Sequence, residues 1–267
     1  MKILKFLAAL FFLLSSSALA ALPFVTDDAA ISDSNDLMLE TYTEYWRLPQ
    51  KATTASAALL GQYLGFSYGL NKNFELTAGG LAAYNFDDDT TSFMNPIFQL
   101  KSLVYSPEQR EIPSIALSLG YANRNGRGLY YDTANDVYLL AIATSRLFDD
   151  NLLLHVNAGP KTSYNLDSRK NLYRMQLGVA MDAALMRKDF RFIAETYNGA
   201  PNSPRDSKGY FHSYQVGFRF LKSHDLAFHI LYGNQPTFLG YDSTYNETYR
   251  RTSWVQFGIR KSFAEIF

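Results

Sequence analysis

Between Tyr210 and Gly233 the chain reads YFHSYQVGFRFLKSHDLAFHILYG, and its residues alternate in character. Tyr210, Tyr214, Val216, Phe218 and Phe220 form one set, interrupted by His212, while Ser213, Gln215, Gly217 and Arg219 form the other after an initial Phe211. Beyond a polar turn the alternation resumes with Leu226, Phe228, Ile230 and Tyr232. Successive side chains of a strand point to opposite faces, so a period of two predicts a hairpin with one apolar and one polar face. Almost every segment of the chain repeats the pattern. Strands of about ten residues, tilted at about 45°, match the hydrocarbon core of a bilayer. The fold class expected is therefore all-β: a transmembrane antiparallel up-and-down β-barrel.

The N-terminus fits that compartment. Lys2 and Lys5 precede the apolar run Phe6 to Leu14, then Ser15–Ser16–Ser17 and the small-residue site Ala18–Leu19–Ala20. This is the pattern of a secretory signal peptide, residues 1–20, with cleavage expected near Ala20. A polar leader follows over 21–35, and the barrel is expected over 36–267. No later segment offers about 18 consecutive apolar residues, so the chain has no candidate helical span. A secreted chain with no cysteine must be stable without disulfides, and a closed barrel satisfies its backbone without them. The slightly negative mean hydropathy also suits strands with one wet face. A periplasmic soluble protein is the alternative.

The strands are predicted at 36–47, 57–70, 74–86, 96–106, 114–124, 136–147, 152–161, 172–183 and 190–198, then the two of the opening hairpin, then 252–263. That makes about twelve. Brief turns follow strands two, six, eight and ten, and Pro107 to Pro113 is intermediate. The longer connections are Asp87–Asn95, Asn125–Asn135, Thr162–Asn171, Gly199–Gly209 and, longest, Asn234–Arg251. An even strand count with short turns at one end and long loops at the other is the bacterial outer-membrane pattern. Two phases are open: in strand six Tyr138, Leu140 and Ile142 alternate with the equally apolar Val137, Leu139 and Ala141, and in strand two Gln62 falls on the apolar face. The last strand, with Val255, Phe257, Ile259 and Phe263 on one face, has the aromatic character associated with recognition by the outer-membrane assembly machinery. Phe263 and Phe267 are both candidates for that signal.

Three short stretches carry a family resemblance. LPFVTDD at Leu22 to Asp28, LGFSYGLNKNFELTAGG at Leu64 to Gly80, and Ala194–Glu195–Thr196–Tyr197–Asn198–Gly199 resemble the outer-membrane transporters assigned to aromatic (phenol) meta-pathway degradation. The resemblance implies transport of small molecules, aromatic or apolar ones among them.

No enzyme motif stands out. His155, His212, His224 and His229 are the only histidines, and none has a metal-ligand spacing. His212 with Ser213 or Ser207 is the nearest approach to a lipid-hydrolase pair, but an interfacial histidine explains it better. Asp87–Asp88–Asp89 lacks the glycine-bearing pattern of a calcium loop. Neither metal nor cofactor is expected. Lys+Arg and Asp+Glu each total 25, so no charge excess points to nucleic acid.

Three groups are candidate functional residues. Register predicts that Asp182 meets Arg191 and Arg219, that Glu75 meets Lys101, and that Glu40 meets Arg260 across the seam near the periplasmic end, forming either a charged lumen constriction or a hydrated polar lining with no filter. Tyr130, Tyr131, Phe238, Tyr241, Tyr245 and Tyr249 are expected in loops at the mouth, as an entry site or as interfacial anchors. Leu22, Pro23, Phe24 and Val25 are expected either to act as a small apolar plug, since a leader of this length can reach the lumen, or to lie in a disordered periplasmic tail. The function expected is an outer-membrane channel or transporter for small-molecule solutes, contacting the bilayer and lipopolysaccharide. The alternatives are a barrel enzyme acting on lipid and a surface-interaction protein.

Overall fold

A computed structural model of the protein describes residues 25–47, 58–86, 89–123, 134–165, 170–198, 213–241 and 247–264. These form twelve strands: β1 (Leu37–Arg47), β2 (Ala58–Asn71), β3 (Phe74–Asn85), β4 (Thr90–Tyr105), β5 (Ser114–Ala122), β6 (Ala134–Leu147), β7 (Leu152–Asn165), β8 (Lys170–Ala184), β9 (Phe190–Asn198), β10 (Ser213–Ser223), β11 (Leu226–Tyr241) and β12 (Glu247–Phe263). Each strand pairs antiparallel with its sequence neighbours, and β1 closes against β12. The seam runs in unbroken register from Leu37↔Phe263 to Arg47↔Ser253. Closure leaves no strand edge, which is the condition for a sheet to stand in lipid.

The burial pattern is inverted relative to a soluble protein. Phe218 and Phe257 are 42% and 50% exposed on the outer wall, whereas Asp182 and His155, facing in, are 0% exposed. Leu154, Val156, Val179 and Ile230 are exposed on the same outer surface, and Phe228 is half-buried there. This is the exterior of a membrane-spanning barrel.

Both open phases have physical resolutions. In β6, Val137 and Leu139 face out while Tyr138, Leu140 and Ile142 are buried inside. In β2, Gln62 does lie on the outer face with Leu60 and Leu64, and its amide is satisfied locally. It donates to Thr41 Oγ1 (2.7 Å) and Tyr42 O (3.0 Å) and accepts from Thr43 Oγ1 (2.6 Å). A polar group can stand at lipid depth when its neighbours complete its hydrogen bonds.

Three expected loops are largely strand, among them 162–171, where β7 runs to Asn165 and β8 starts at Lys170. β4 begins at Thr90, inside the segment 87–95. The expected long loop 234–251 is mostly ladder: β11 runs to Tyr241 and β12 starts at Glu247, with Pro236↔Arg251 and Phe238↔Tyr249 in register. Pro236 and the Gly and Asn residues suggested a loop, but the pairing continues through them with a register shift between Phe238 and Gly240.

Short turns share one end of the barrel with the start of β1 and the end of β12. The turn after β6 carries three left-handed residues in succession, Phe148, Asp149 and Asp150 (φ 53°, 54° and 66°). It is closed by Asn151 N–H donating to Phe148 O (3.1 Å) and is tied to the preceding turn, between β4 and β5, by Arg110 to Asp150 at 2.6 Å.

Because Phe218 sits mid-strand on the outer wall, Phe218→Arg should cost about 2–4 kcal/mol of stability in a bilayer. The measurement is the folded, heat-modifiable gel band as a function of urea in lipid vesicles; an unchanged midpoint would mean that Phe218 does not face the membrane core.

Candidate functional site

Alternation sends the charged residues of the strands inward, where register then sets their partners. Asp182 on β8 receives hydrogen bonds from Arg191 Nε of β9 and Arg219 Nη2 of β10. Arg191 Nη2 adds bonds to Asp182 O (3.1 Å) and Asp150 O (3.0 Å). On the other side of the lumen Glu75 of β3 and Lys101 of β4 pair at 3.3 Å. Glu40 and Arg260 are direct cross-strand neighbours at the seam. All seven residues face in, and six of them are buried, Glu40 being intermediate. A further buried pair, Lys161 with Asp136 at 3.7 Å, was not singled out from the sequence.

The leader lies among these groups. Leu22, Pro23 and Phe24 fall outside the described residues, but Val25 to Asp36 pass through the lumen. Val25 N–H and Thr26 N–H donate to the two oxygens of Glu195 on β9, at 3.0 and 2.8 Å, and Gln215 donates to the same carboxylate. Asp27 accepts from Gln99 Nε2 (2.9 Å) and pairs with Lys101 (3.3 Å) on β4. Lys101 also donates to Asp28 O (3.2 Å). Ala29 N–H donates to Thr144 Oγ1 on β6 (2.9 Å), which in turn bonds His155 Nδ1 on β7 (3.0 Å). Ser32 gives both its N–H and its hydroxyl to Glu75 Oε2, each at 2.7 Å. Asn35, in the left-handed region at φ 66°, turns the chain into the β2 ladder through Asn35 N–H to Gly69 O (2.9 Å).

Two glycines make room for it. A Cβ at Gly69 would stand 2.0 Å from Asp33 O, and one at Gly178 would stand 2.4 Å from Thr26 Oγ1. Leader donors thus meet wall carboxylates, and leader carboxylates meet wall donors. Charge-assisted bonds of this kind are the stronger class. The three stretches quoted for the family resemblance converge here, since they contribute Val25 to Asp28, Gly69 with Glu75, and Glu195. Val25, Glu75 and Lys101 are among the site candidates read from the sequence; Glu195 enters there only within a resemblance stretch, and Gln99 and Thr144 do not enter at all. Inward polar residues with no cross-strand partner of opposite charge were the available signal.

A second inward wall is aromatic. Tyr42 and Tyr63 stack with centroids 4.5 Å apart, Trp46 and Trp254 stack at 4.6 Å, and Trp46 Nε1 donates to Glu44 Oε2 (2.7 Å). The expected mouth cluster stands differently. Phe238, Tyr241 and Tyr249 belong to β11 and β12 rather than to a loop, because the ladder outlasts the turn-like composition. Tyr130, Tyr131 and Tyr245 lie outside the described residues, as do His212 and Ser207. Among the described residues no cluster of three His, Asp or Glu side chains could hold a metal ion.

A scan of family models found none that matches the chain, and a search of curated proteins found no match. Among solved structures the barrel is similar to the KdgM porin in complex with disordered oligogalacturonate, with a TM-score of 0.53 and 10% identity over 85% of this chain and 99% of that one. It is also similar to an outer-membrane channel from Pseudomonas putida F1, with a TM-score of 0.57 and 7% identity over 92% of this chain and 100% of that one. At such identities the likeness is one of fold.

Among the described residues Asp182 is the carboxylate that pairs with both Arg191 and Arg219, so removing it leaves two buried guanidinium groups facing each other. Asp182→Asn should therefore destabilise the barrel by about 3–5 kcal/mol. Arg191→Met should cost less, since Asp182 keeps Arg219. Urea unfolding midpoints of the two variants in lipid vesicles provide the check, and equal losses would contradict this ordering.

Proposed function

We propose that the protein is a bacterial outer-membrane channel for small molecules whose lumen is closed at rest by its own leader. The observation that carries this is the passage of Val25 to Asp36 across the lumen, held at Glu195 on β9, Lys101 on β4 and Glu75 on β3. A barrel with a polar, charged interior is built to hold a solvated path. A segment anchored to its walls through hydrogen bonds, rather than through a dry interface, is one that can leave. The similarity in fold to the KdgM porin and the Pseudomonas channel supports the same reading.

By this proposal residues 1–20 are the cleaved signal, the turn-bearing end faces the periplasm, and the leader enters from that side. The outer wall contacts lipid and lipopolysaccharide, and the assembly machinery reads the aromatic β12. Arg191, Arg219, Asp182, Glu40, Arg260, Glu75 and Lys101 form the polar constriction around the leader. The resemblance to transporters assigned to aromatic degradation, together with the stacked Tyr42–Tyr63 and Trp46–Trp254 pairs, supports solutes with a planar apolar part.

Deleting residues 22–33 should raise single-channel conductance in planar bilayers above that of the full chain, and Gly69→Val, which crowds the leader at Asp33, should raise it partway. Identical traces would remove the plug. In the deletion background, Arg191→Ala with Arg219→Ala should shift the reversal potential toward cations, because Asp182 then stands uncompensated at the constriction.

A further inference from the structure

The leader's contacts have a chemical pattern beyond mere obstruction. At its centre, Asp27–Asp28–Ala29 presents carboxylates followed by a methyl group. Asp27 takes Gln99 Nε2 at 2.9 Å and Lys101 Nζ at 3.3 Å. Asp28 Oδ1 lies 4.0 Å from His155 Nδ1. Asp28 Oδ1 also accepts from Ala30 N–H (3.0 Å) within the leader. Ala29 sits in an apolar pocket of Ala116, Tyr138, Leu140 and Ile142, none more than 4% exposed.

Ile193, Leu231 and Leu153 are also buried on the inner face, but the pocket around Ala29 is the apolar cluster that holds a leader residue. The inner face of a barrel of this kind is polar by default, and β6 is the strand whose two faces are equally apolar. Its inward trio adjoins the carboxylate receptors directly, because Tyr138 OH donates to Gln99 Oε1 (2.9 Å) while the same amide holds Asp27. Lys101 has one carboxylate from the wall, Glu75, and one from the leader, Asp27. With the leader withdrawn, a cation and an amide donor would stand open beside an apolar wall.

We infer that Asp27–Ala29 is a built-in stand-in for the solute, and that this site takes a small organic acid, its carboxylate on Lys101 and Gln99 and its apolar or aromatic end against Tyr138, Leu140 and Ile142. The inference rests on the channel proposal for its physiological meaning and adds the solute's class and the trigger for opening. Leader and solute compete for one set of groups, so binding of the acid shifts the population toward the undocked leader. A tethered segment competes at an effective concentration of about millimolar or above. The acid must therefore exceed its own dissociation constant by the factor with which the leader competes, which makes the channel open to its cargo when cargo is plentiful.

The test uses the full chain. It has no cysteine, so Ala30→Cys places a unique thiol on the half-buried leader. In lipid nanodiscs the rate of labelling by a thiol-reactive fluorophore reports undocking. Benzoate at tens of millimolar should raise that rate about threefold or more, given millimolar competition, while benzamide, of the same shape without charge, should not. A second arm measures benzoate binding by titration calorimetry. Asp27→Asn, which weakens the internal competitor, should tighten benzoate binding, and Lys101→Met should abolish it. Leu140→Ser should bring benzoate down to the level of acetate. Equal responses to benzoate and benzamide, or benzoate binding that survives Lys101→Met, would overturn the assignment. None of these readouts needs transport, so a barrel that stays silent in bilayers after leader deletion would refute the channel separately.

Discussion

The backbone hydrogen-bond requirement of the membrane governs the structure. In hydrocarbon an unpaired N–H or C=O has no solvent to turn to, so a sheet survives only if its first and last strands meet. β1 and β12 do so over eleven consecutive partners. The outward side chains then need only be apolar, and the stability that soluble proteins draw from a packed core comes instead from the closed ladder and the surrounding lipid. Even the outward Gln62 obeys the rule by completing its bonds with Thr41 and Thr43.

Closure creates the second constraint, which is an interior. Twelve strands enclose more space than their own side chains fill, and polar groups facing that space are confined together. Opposite charges therefore settle on neighbouring strands, as in Asp182 with Arg191 and Arg219, or Glu75 with Lys101. Individually, pairs like these contribute modestly, and they can cost more in desolvation than they return. Collectively they give the lumen a fixed arrangement of donors and acceptors, to which the leader is complementary. Glu195, Lys101, Thr144 and Glu75 each meet a leader group of matching kind.

That complementarity joins fold to function. A plug that filled the lumen by apolar packing would be hard to remove, because every withdrawn side chain would lose its burial. A plug held by hydrogen bonds and charges exchanges them for equivalent bonds with water or with a ligand, at small net cost. On the proposed reading, the apolar pocket around Ala29 would favour molecules that carry a charge beside a hydrophobic group.

The amino-acid sequence by itself determined the fold class, the strand count and most of the faces, because period-two alternation is a local property readable residue by residue. It also determined which charges share a level, since antiparallel register follows from turn positions; Asp182, Arg191 and Arg219 could be associated on that basis. What only the tertiary structure decided are the matters in which the two local choices are equivalent or the partner is remote. β6 reads the same on both faces, and the inward placement of Tyr138, Leu140 and Ile142 beside Ala29 and Ala116 needs the closed barrel to be seen. The continuation of β11 and β12 through Pro236, Gly240 and Asn234 reflects mutual pairing that overrides turn-like composition. Glu195 is separated from Thr26 by 169 residues, and no local pattern marks a carboxylate that waits for the other end of the chain. Contacts across a lumen have no sequence period, so they appear only once the wall has closed.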